Sequence, residues 1–214
     1  MKKIYLTLSV LALCFASCKK EVKVEETDTT IVKDSVVKDE PVAEAPMDSV
    51  AMHKAWEAYA TPGDMHKLMA SDVGSWTNEM TFWMAPDAKP EKYTSTSEVK
   101  MILGGKYQQT NYKGDMMGMP FEGIGTLAFD NATKEFTSTW IDNMGTGMMV
   151  LKGKYDEATK STTLTGKMVD PMTGKETDCR EVYTYVDANT RKMEMFDNKG
   201  NGEYKTMEII MKKK

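Results

Sequence analysis

The chain has 214 residues, with 28 basic and 32 acidic side chains, a formal net charge of −4 and 41% hydrophobic residues. Without a basic footprint it argues against nucleic acid as a partner. With only two histidines it offers little material for histidine-based metal binding or catalysis.

The N-terminus reads Met1-Lys2-Lys3, then an apolar run from Ile4 to Phe15, then Ala16-Ser17 ahead of Cys18. A basic start, a short apolar stretch and a small-residue cleavage site are the order of a secretory signal. The run falls well short of the roughly 20 residues that cross a bilayer as a helix. Phe15-Ala16-Ser17-Cys18 resembles the lipobox, with Phe15 standing where Leu is usual. The expectation is a signal peptide over 1–17 and lipidation of Cys18, which places the protein in the cell envelope, on the outer membrane, anchored by lipid. The Lys-Lys-Glu after Cys18 resembles charged outer-face export signals, although solvated linker explains it as well. Cys14 leaves with the signal, so Cys179 is the one free thiol expected and no internal disulfide can form. Its strand-like surroundings read as burial of a small hydrophobe.

Residues 18–50 contain no aromatic side chain, two prolines and a repeated Val-Lys-Asp. From Lys19 to Val50, five lysines against nine carboxylates leave a net charge of about −4. Such a segment cannot bury enough apolar surface to offset its ordering entropy, and the expectation is an extended, acidic tether.

Residues 51–214 have the composition and size of a single core. The block opens with helix: Met52, Ala55, Trp56 and Tyr59 share one face, and the run stops at Thr61-Pro62-Gly63-Asp64. Thr61 can cap a second helix with Pro62 at its first position, and Met65, Leu68 and Met69 form its apolar face. From Trp76 on, the pattern is strand and turn. Strands are expected near 76–84, 92–103, 106–114, 122–130, 134–142, 147–155, 161–169, 176–186, 190–197 and 203–212. Short connections favour antiparallel neighbours, and a meander of this length hides its edges most simply by closing. The predicted fold class is therefore mainly β: a single antiparallel meander β-barrel of about ten strands preceded by two short helices. Over 136–142 one face carries Phe136, Ser138, Trp140 and Asp142 and the other Thr137, Thr139 and Ile141, so alternation does not say which face points inward.

Gly74-Ser75-Trp76, at the junction of helix and first strand, resembles the Gly-x-Trp signature of lipocalins and related calycins. That resemblance implies a barrel end closed by the tryptophan and a basic residue from the last strand over it, for which Lys212 is the candidate. Further stretches are similar to bacterial domain-of-unknown-function family 1579 from about residue 52 to the C-terminus. They are Pro62-Gly63-Asp64-Met65-His66, Met119-Pro120-Phe121-Glu122-Gly123, Phe129-Asp130-Asn131, 138–147 and Asp170-Pro171-Met172-Thr173-Gly174-Lys175. Phe129 stands where Tyr is expected, and Met211-Lys212-Lys213 where the family tends to Thr-Arg-Lys. The resemblance implies a fold and no activity.

His53 and His66 lie on the predicted helices without a metal-ligand spacing, and read as surface or packing residues. No nucleophile motif, cofactor fingerprint or phosphate loop is present, so no catalytic residue, metal or cofactor is expected. Methionine is abundant, at 20 residues, with clusters at Met116, Met117 and Met119 and at Met144, Met148 and Met149. Soft thioethers could hold Cu(I), while flexible packing of a core or apolar pocket is the plainer reading. The Gly-rich stretches 114–120 and 142–147 are expected at a barrel mouth, where binding loops or plain tight turns explain them equally. A third reading is an enzyme built on strand carboxylates, with Glu122, Asp142, Glu181 and Glu208 as candidates. The leading expectation is a binding protein holding a small apolar ligand in a barrel cavity of on the order of 300 Å³ or more, lined by Phe121, Trp140, Asp142 and Met148.

Overall fold

The computed structural model describes residues 48–198, 200 and 202–214; the expected signal peptide over 1–17, the expected lipidation site Cys18 and almost all of the expected 18–50 tether lie outside them. Helix α1 (Ser49–Ala60) starts where the Asp48 carboxylate accepts the Val50 N–H at 3.2 Å. It buries no residue, and the face bearing Met52, Trp56 and Tyr59 is exposed. Helix α2 (Asp64–Ala70) is the one that packs. Its cap is Gly63, not the expected Thr61, because the Thr61 hydroxyl donates to Glu57 O at 2.6 Å and so finishes α1. His66 Nδ1 accepts the Gly63 N–H at 3.0 Å, and the ring meets Phe129 edge-on, which gives this buried histidine a helix-capping role. Burial lowers its pKa. His53 stays exposed on α1.

Ten strands follow: β1 (Gly74–Phe82), β2 (Glu91–Ile102), β3 (Tyr107–Met116), β4 (Met119–Asp130), β5 (Glu135–Asp142), β6 (Met149–Asp156), β7 (Ser161–Asp170), β8 (Lys175–Tyr185), β9 (Thr190–Asn198) and β10 (Glu203–Lys213). Each pairs antiparallel with its chain neighbours, and β1 pairs with β10 to close the barrel. The turns explain the regularity. Asp130, Asp156 and Asp170 each accept a backbone N–H two residues on, so an aspartate begins three of the reversals. The expected 114–120 loop is mostly strand, reversing through Met117 (φ 55) and Gly118 (φ 74), a two-residue turn whose positive φ values match strand twist.

Register sorts the two faces. Trp76, Asn78 and Met80 lie opposite Lys213, Met211 and Ile209, and the same inward set continues around the ring through Tyr112, Gly123, Trp140, Leu151, Gly166, Cys179 and Arg191. Cys179 is buried, as its surroundings suggested.

One end of this barrel is sealed. Asp72, just after α2, is buried, and its carboxylate accepts from Arg191 Nε at 2.7 Å, Tyr183 Oη at 3.2 Å and Gln108 Nε2 at 3.3 Å. Its carbonyl accepts the Trp76 indole N–H at 2.7 Å. The Arg191 guanidinium lies 4.7 Å from the Tyr185 ring centre and 5.3 Å from that of Trp76, and Lys213 Nζ lies 5.5 Å from Trp76. The expected Lys212 is not over the tryptophan. It pairs with Thr77 on the alternate face and donates to Thr190 Oγ1, so one residue of parity hands the role to Lys213 and Arg191.

Burial raises the Asp72 carboxyl above its usual range even though Arg191, Gln108 and Tyr183 all donate to it. Desolvation thus outweighs pairing, and the ion pair fixes geometry more than it adds stability. Replacing Arg191 by Ala should cost about 3–5 kcal/mol in chemical denaturation, because a buried charge loses its partner. The paired change D72N/R191M should cost less than R191A alone; a larger loss would contradict this.

Candidate ligand site in the barrel

The inward residues do not form one continuous core. One cluster gathers Met69, Phe136, Leu151, Leu164 and Cys179; the other gathers Trp76, Met80, Val99, Ile209 and Met211. The first belongs to α2 and β5–β8, the second to β1, β2 and β10. A domain of this size usually packs a single contiguous core. Here polar groups also turn inward: Asn78 Nδ2 donates to Ser95 Oγ and Ser97 Oγ at 3.1 and 3.2 Å, and all three are buried.

Three of the four expected lining residues come together. The Trp140 indole N–H donates to Asp142 Oδ2 at 2.7 Å, and Phe121 stacks on Trp140 with ring centres 6.3 Å apart. Tyr112 meets the same indole edge-on at 5.2 Å. Glycine makes this arrangement possible. A Cβ on Gly123 would overlap the Trp140 ring, whereas one on Gly125 would reach it at an ordinary 3.7 Å, so the indole lies along bare β4 backbone. Met148 does not join them. It sits in the loop before β6 with 62% of its surface exposed, and its neighbour Met149, paired with Trp140, is the residue that turns inward.

The methionine clusters divide in the same way. Met116 and Met149 are half-buried on inward positions, while Met117, Met119, Met144 and Met148 are exposed at the end opposite α2. Met84 and Met172 are exposed there too, so the turns around this rim carry most of the uncovered thioethers. Among the described residues no group of three or more His, Cys, Asp or Glu could hold a metal.

The candidate carboxylates separate as well. Glu122 faces outward beside Lys113 at 3.4 Å, and Glu208 is bound by Lys205 at 2.6 Å within an outer network that includes Glu194. Asp142 is committed to Trp140 and to the Met144 N–H. Glu181 turns inward between Cys179 and Tyr183, opposite Leu164 on β7 and Met195 on β9. Burial pushes its carboxyl up to about 7. Burial likewise pushes the Cys179 thiol up to about 12 and raises Tyr112 and Tyr183 above the usual phenol range. Yet Tyr112, Trp140, Glu181 and Tyr183 are half-buried and not closed off, although register turns all four toward the axis. Two surface cavities lie elsewhere: one of about 710 Å³ beside the end of α1 and residues 131–134, and one of about 420 Å³ over Lys167, Arg180 and Glu203.

A closed antiparallel barrel, sealed at one end by a helix and an arginine-backed tryptophan and lined by aromatic and thioether side chains, has a lipocalin-like fold. The model of the family described as protein of unknown function, DUF1579, matches residues 61–213, and the chain belongs to that family. Among solved structures, Rv2717c from M. tuberculosis is similar with a TM-score of 0.54 at 13% identity, over 72% of this chain and 99% of that one. The S-type phycobiliprotein lyase CPES from Guillardia theta is similar with a TM-score of 0.52 at 11% identity, over 75% of this chain and 96% of that one. At these identities the likeness is one of fold. No curated protein matches.

The glycine cradle gives a direct test of the local geometry. Gly123→Ala should cost about 1–3 kcal/mol and shift the tryptophan fluorescence, because the indole must move. Gly125→Ala should stay within about 1 kcal/mol of the parent. Equal losses at the two positions, read by denaturant titration, would contradict the placement of Trp140.

Proposed function

We propose that this chain is a lipid-anchored cell-envelope binding protein that holds a small, largely apolar molecule in the barrel, against Phe121, Trp140 and Tyr112. The observation that carries this reading is the divided core: the inward rings of Tyr112 and Trp140, which belong to neither cluster, keep accessible surface where a purely structural barrel would cover them. Few, well-placed polar groups among apolar walls are what small-molecule sites are made of. The fold is also one that a phycobiliprotein lyase uses. The rim methionines suit an adaptable entrance, since thioether side chains repack at little cost.

Anchoring follows from the lipobox-like Phe15-Ala16-Ser17-Cys18, and places ligand exchange in the aqueous part of the envelope at the end of the 18–50 tether. In cells fed labelled fatty acid, the parent chain should carry label and sediment with membranes. The Cys18→Ala variant should carry none and lose its anchorage; label retained in the variant would remove the anchor.

Binding is tested with N-phenyl-1-naphthylamine, a neutral apolar dye that brightens out of water. The parent protein should enhance it saturably, and Trp140→Ala should weaken binding by about tenfold. An unsaturable signal, or equal binding in the variant, would count against a site at Trp140.

A further inference from the structure

The least explained group in the barrel is Glu181. Among the described residues it makes no hydrogen bond and no ion pair, and burial alone accounts for the state of its carboxyl. Glu181 is half-buried, and a carboxyl drawn partly out of water is ordinarily paired or hydrogen-bonded, because desolvating a charge without a partner is costly. The neighbours across the sheet, Leu164 and Met195, offer it nothing polar. The cations that turn inward are used at the sealed end: Arg191 holds Asp72, and Lys213 donates to Ser71 O. Glu181 also sits at the seam of the divided core, with Cys179 in one cluster and Tyr183 packed against the other.

Aromatic rings surround this seam. The charge of Glu181 acts on Tyr112 from across the barrel, and the Tyr112 ring is set edge-on to Trp140 at 5.2 Å. Tyr183 follows Glu181 on the same face of β8 and stands edge-on to Tyr185 at 5.3 Å. A lone carboxylate with aromatic walls attracts a positive charge twice over, through the ion pair and through ring faces. Thioether and aliphatic neighbours leave the rest of such a ligand in an apolar setting.

We propose that Glu181 is the ligand-recognition group of the barrel, and that it selects an apolar molecule bearing a basic nitrogen, an organic ammonium whose charge it neutralises. This rests on the reading of the barrel as a small-molecule site and adds the ligand class to it. Binding of such a cation requires the ionised carboxylate. The titratable groups near Glu181 are Tyr112 on β3, Cys179 and Tyr183 on β8, Asp197 on β9, and Asp72 beyond Tyr183. The two phenols and the thiol are raised well clear of neutrality, so they do not change charge there. Glu181 does, since its carboxyl stands at about 7. Ammonium binding should therefore strengthen as pH rises through neutrality.

The test uses calorimetry on the full chain with three probes that share one apolar body: 4-phenylbutylamine, 4-phenylbutanol and 4-phenylbutyrate. At about pH 8 the amine should bind at least about tenfold more tightly than the alcohol, and the carboxylate more weakly than either. At about pH 5.5, where the amine keeps its charge, that advantage should fall by about tenfold. Glu181→Gln should bring amine and alcohol within about twofold of one another. The exterior change Glu122→Gln should leave the preference intact, and circular dichroism on both variants reports folding. Equal binding of the three probes to the parent protein, or a preference that survives Glu181→Gln, overturns the proposal while leaving the dye-binding site standing. Binding of none of them, together with failure of the neutral dye to bind, overturns the small-molecule reading itself.

Discussion

The structure depends on one buried carboxylate. Asp72 follows α2 at the barrel's edge and accepts from Gln108 on β3, Tyr183 on β8 and Arg191 on β9, while its carbonyl holds the indole of Trp76 on β1. Four strands, from β1 at the start of the sheet to β8 and β9 near its end, are thereby tied to the end of one short helix. The arrangement does not pack more apolar surface, and burial of the charge works against it. What it supplies is a fixed geometry: α2 becomes a plug with Met69 fully buried, and Arg191 is held between Trp76 and Tyr185. With that end sealed, the opposite end is left for exchange with solvent, and there the turns carry exposed methionines in place of a covering helix.

Sealing one end also divides the labour within the barrel. Each of the two apolar clusters is anchored on its own wall, and the polar group Asn78, Ser95 and Ser97 is satisfied internally on β1 and β2. Between the clusters lie residues that neither wall completes, among them Tyr112, Trp140 and Glu181. The flat seat of Trp140 on Gly123 shows that this region is shaped, because a single methyl there would displace the ring. A barrel selected only for stability would fill that seam with branched aliphatic side chains, as interiors pack to high density.

Much of the architecture was legible in the chain itself. All ten strands fall within three residues of where turn chemistry and alternation place them, because aspartate-led reversals such as Asp130-Asn131-Ala132-Thr133-Lys134 and Asp156-Glu157-Ala158-Thr159-Lys160 punctuate the sequence so regularly. Phe121 on β4 lies beside Trp140 and Asp142 on β5 because the two strands are neighbours. The faces were harder to read. Inward positions include Asn78, Ser95, Ser97, Gln108 and Thr110, so the interior is not marked by hydrophobicity, and a parity error of one residue moves a side chain to the other face. That is why Lys212 was expected where Lys213 and Arg191 stand, and why Met148 was expected where Met149 turns inward. The Asp72–Arg191 pair spans 119 positions and leaves no local trace. Nor does alternation reveal that the apolar face of α1 stays exposed while α2 plugs the barrel. Glu181 stood among the candidate carboxylates, but its isolation from any partner is a property of the assembled ring.

Glu181 is a half-buried carboxyl without a hydrogen bond or ion pair among the described residues, turned into the barrel. Its carboxyl stands at about 7 against an ordinary 4.5, so the folded protein keeps this proton over a range in which the unfolded chain has lost it. The resulting stabilisation is fully present below about pH 4.5 and is lost as pH rises through about 7. Unfolding free energies of the unliganded parent and of Glu181→Gln, measured from about pH 4.5 to about pH 8, isolate that contribution. The prediction is that the parent loses up to about 3 kcal/mol relative to the variant across this interval. Parallel curves would mean that Glu181 is solvated or paired, and would contradict the account.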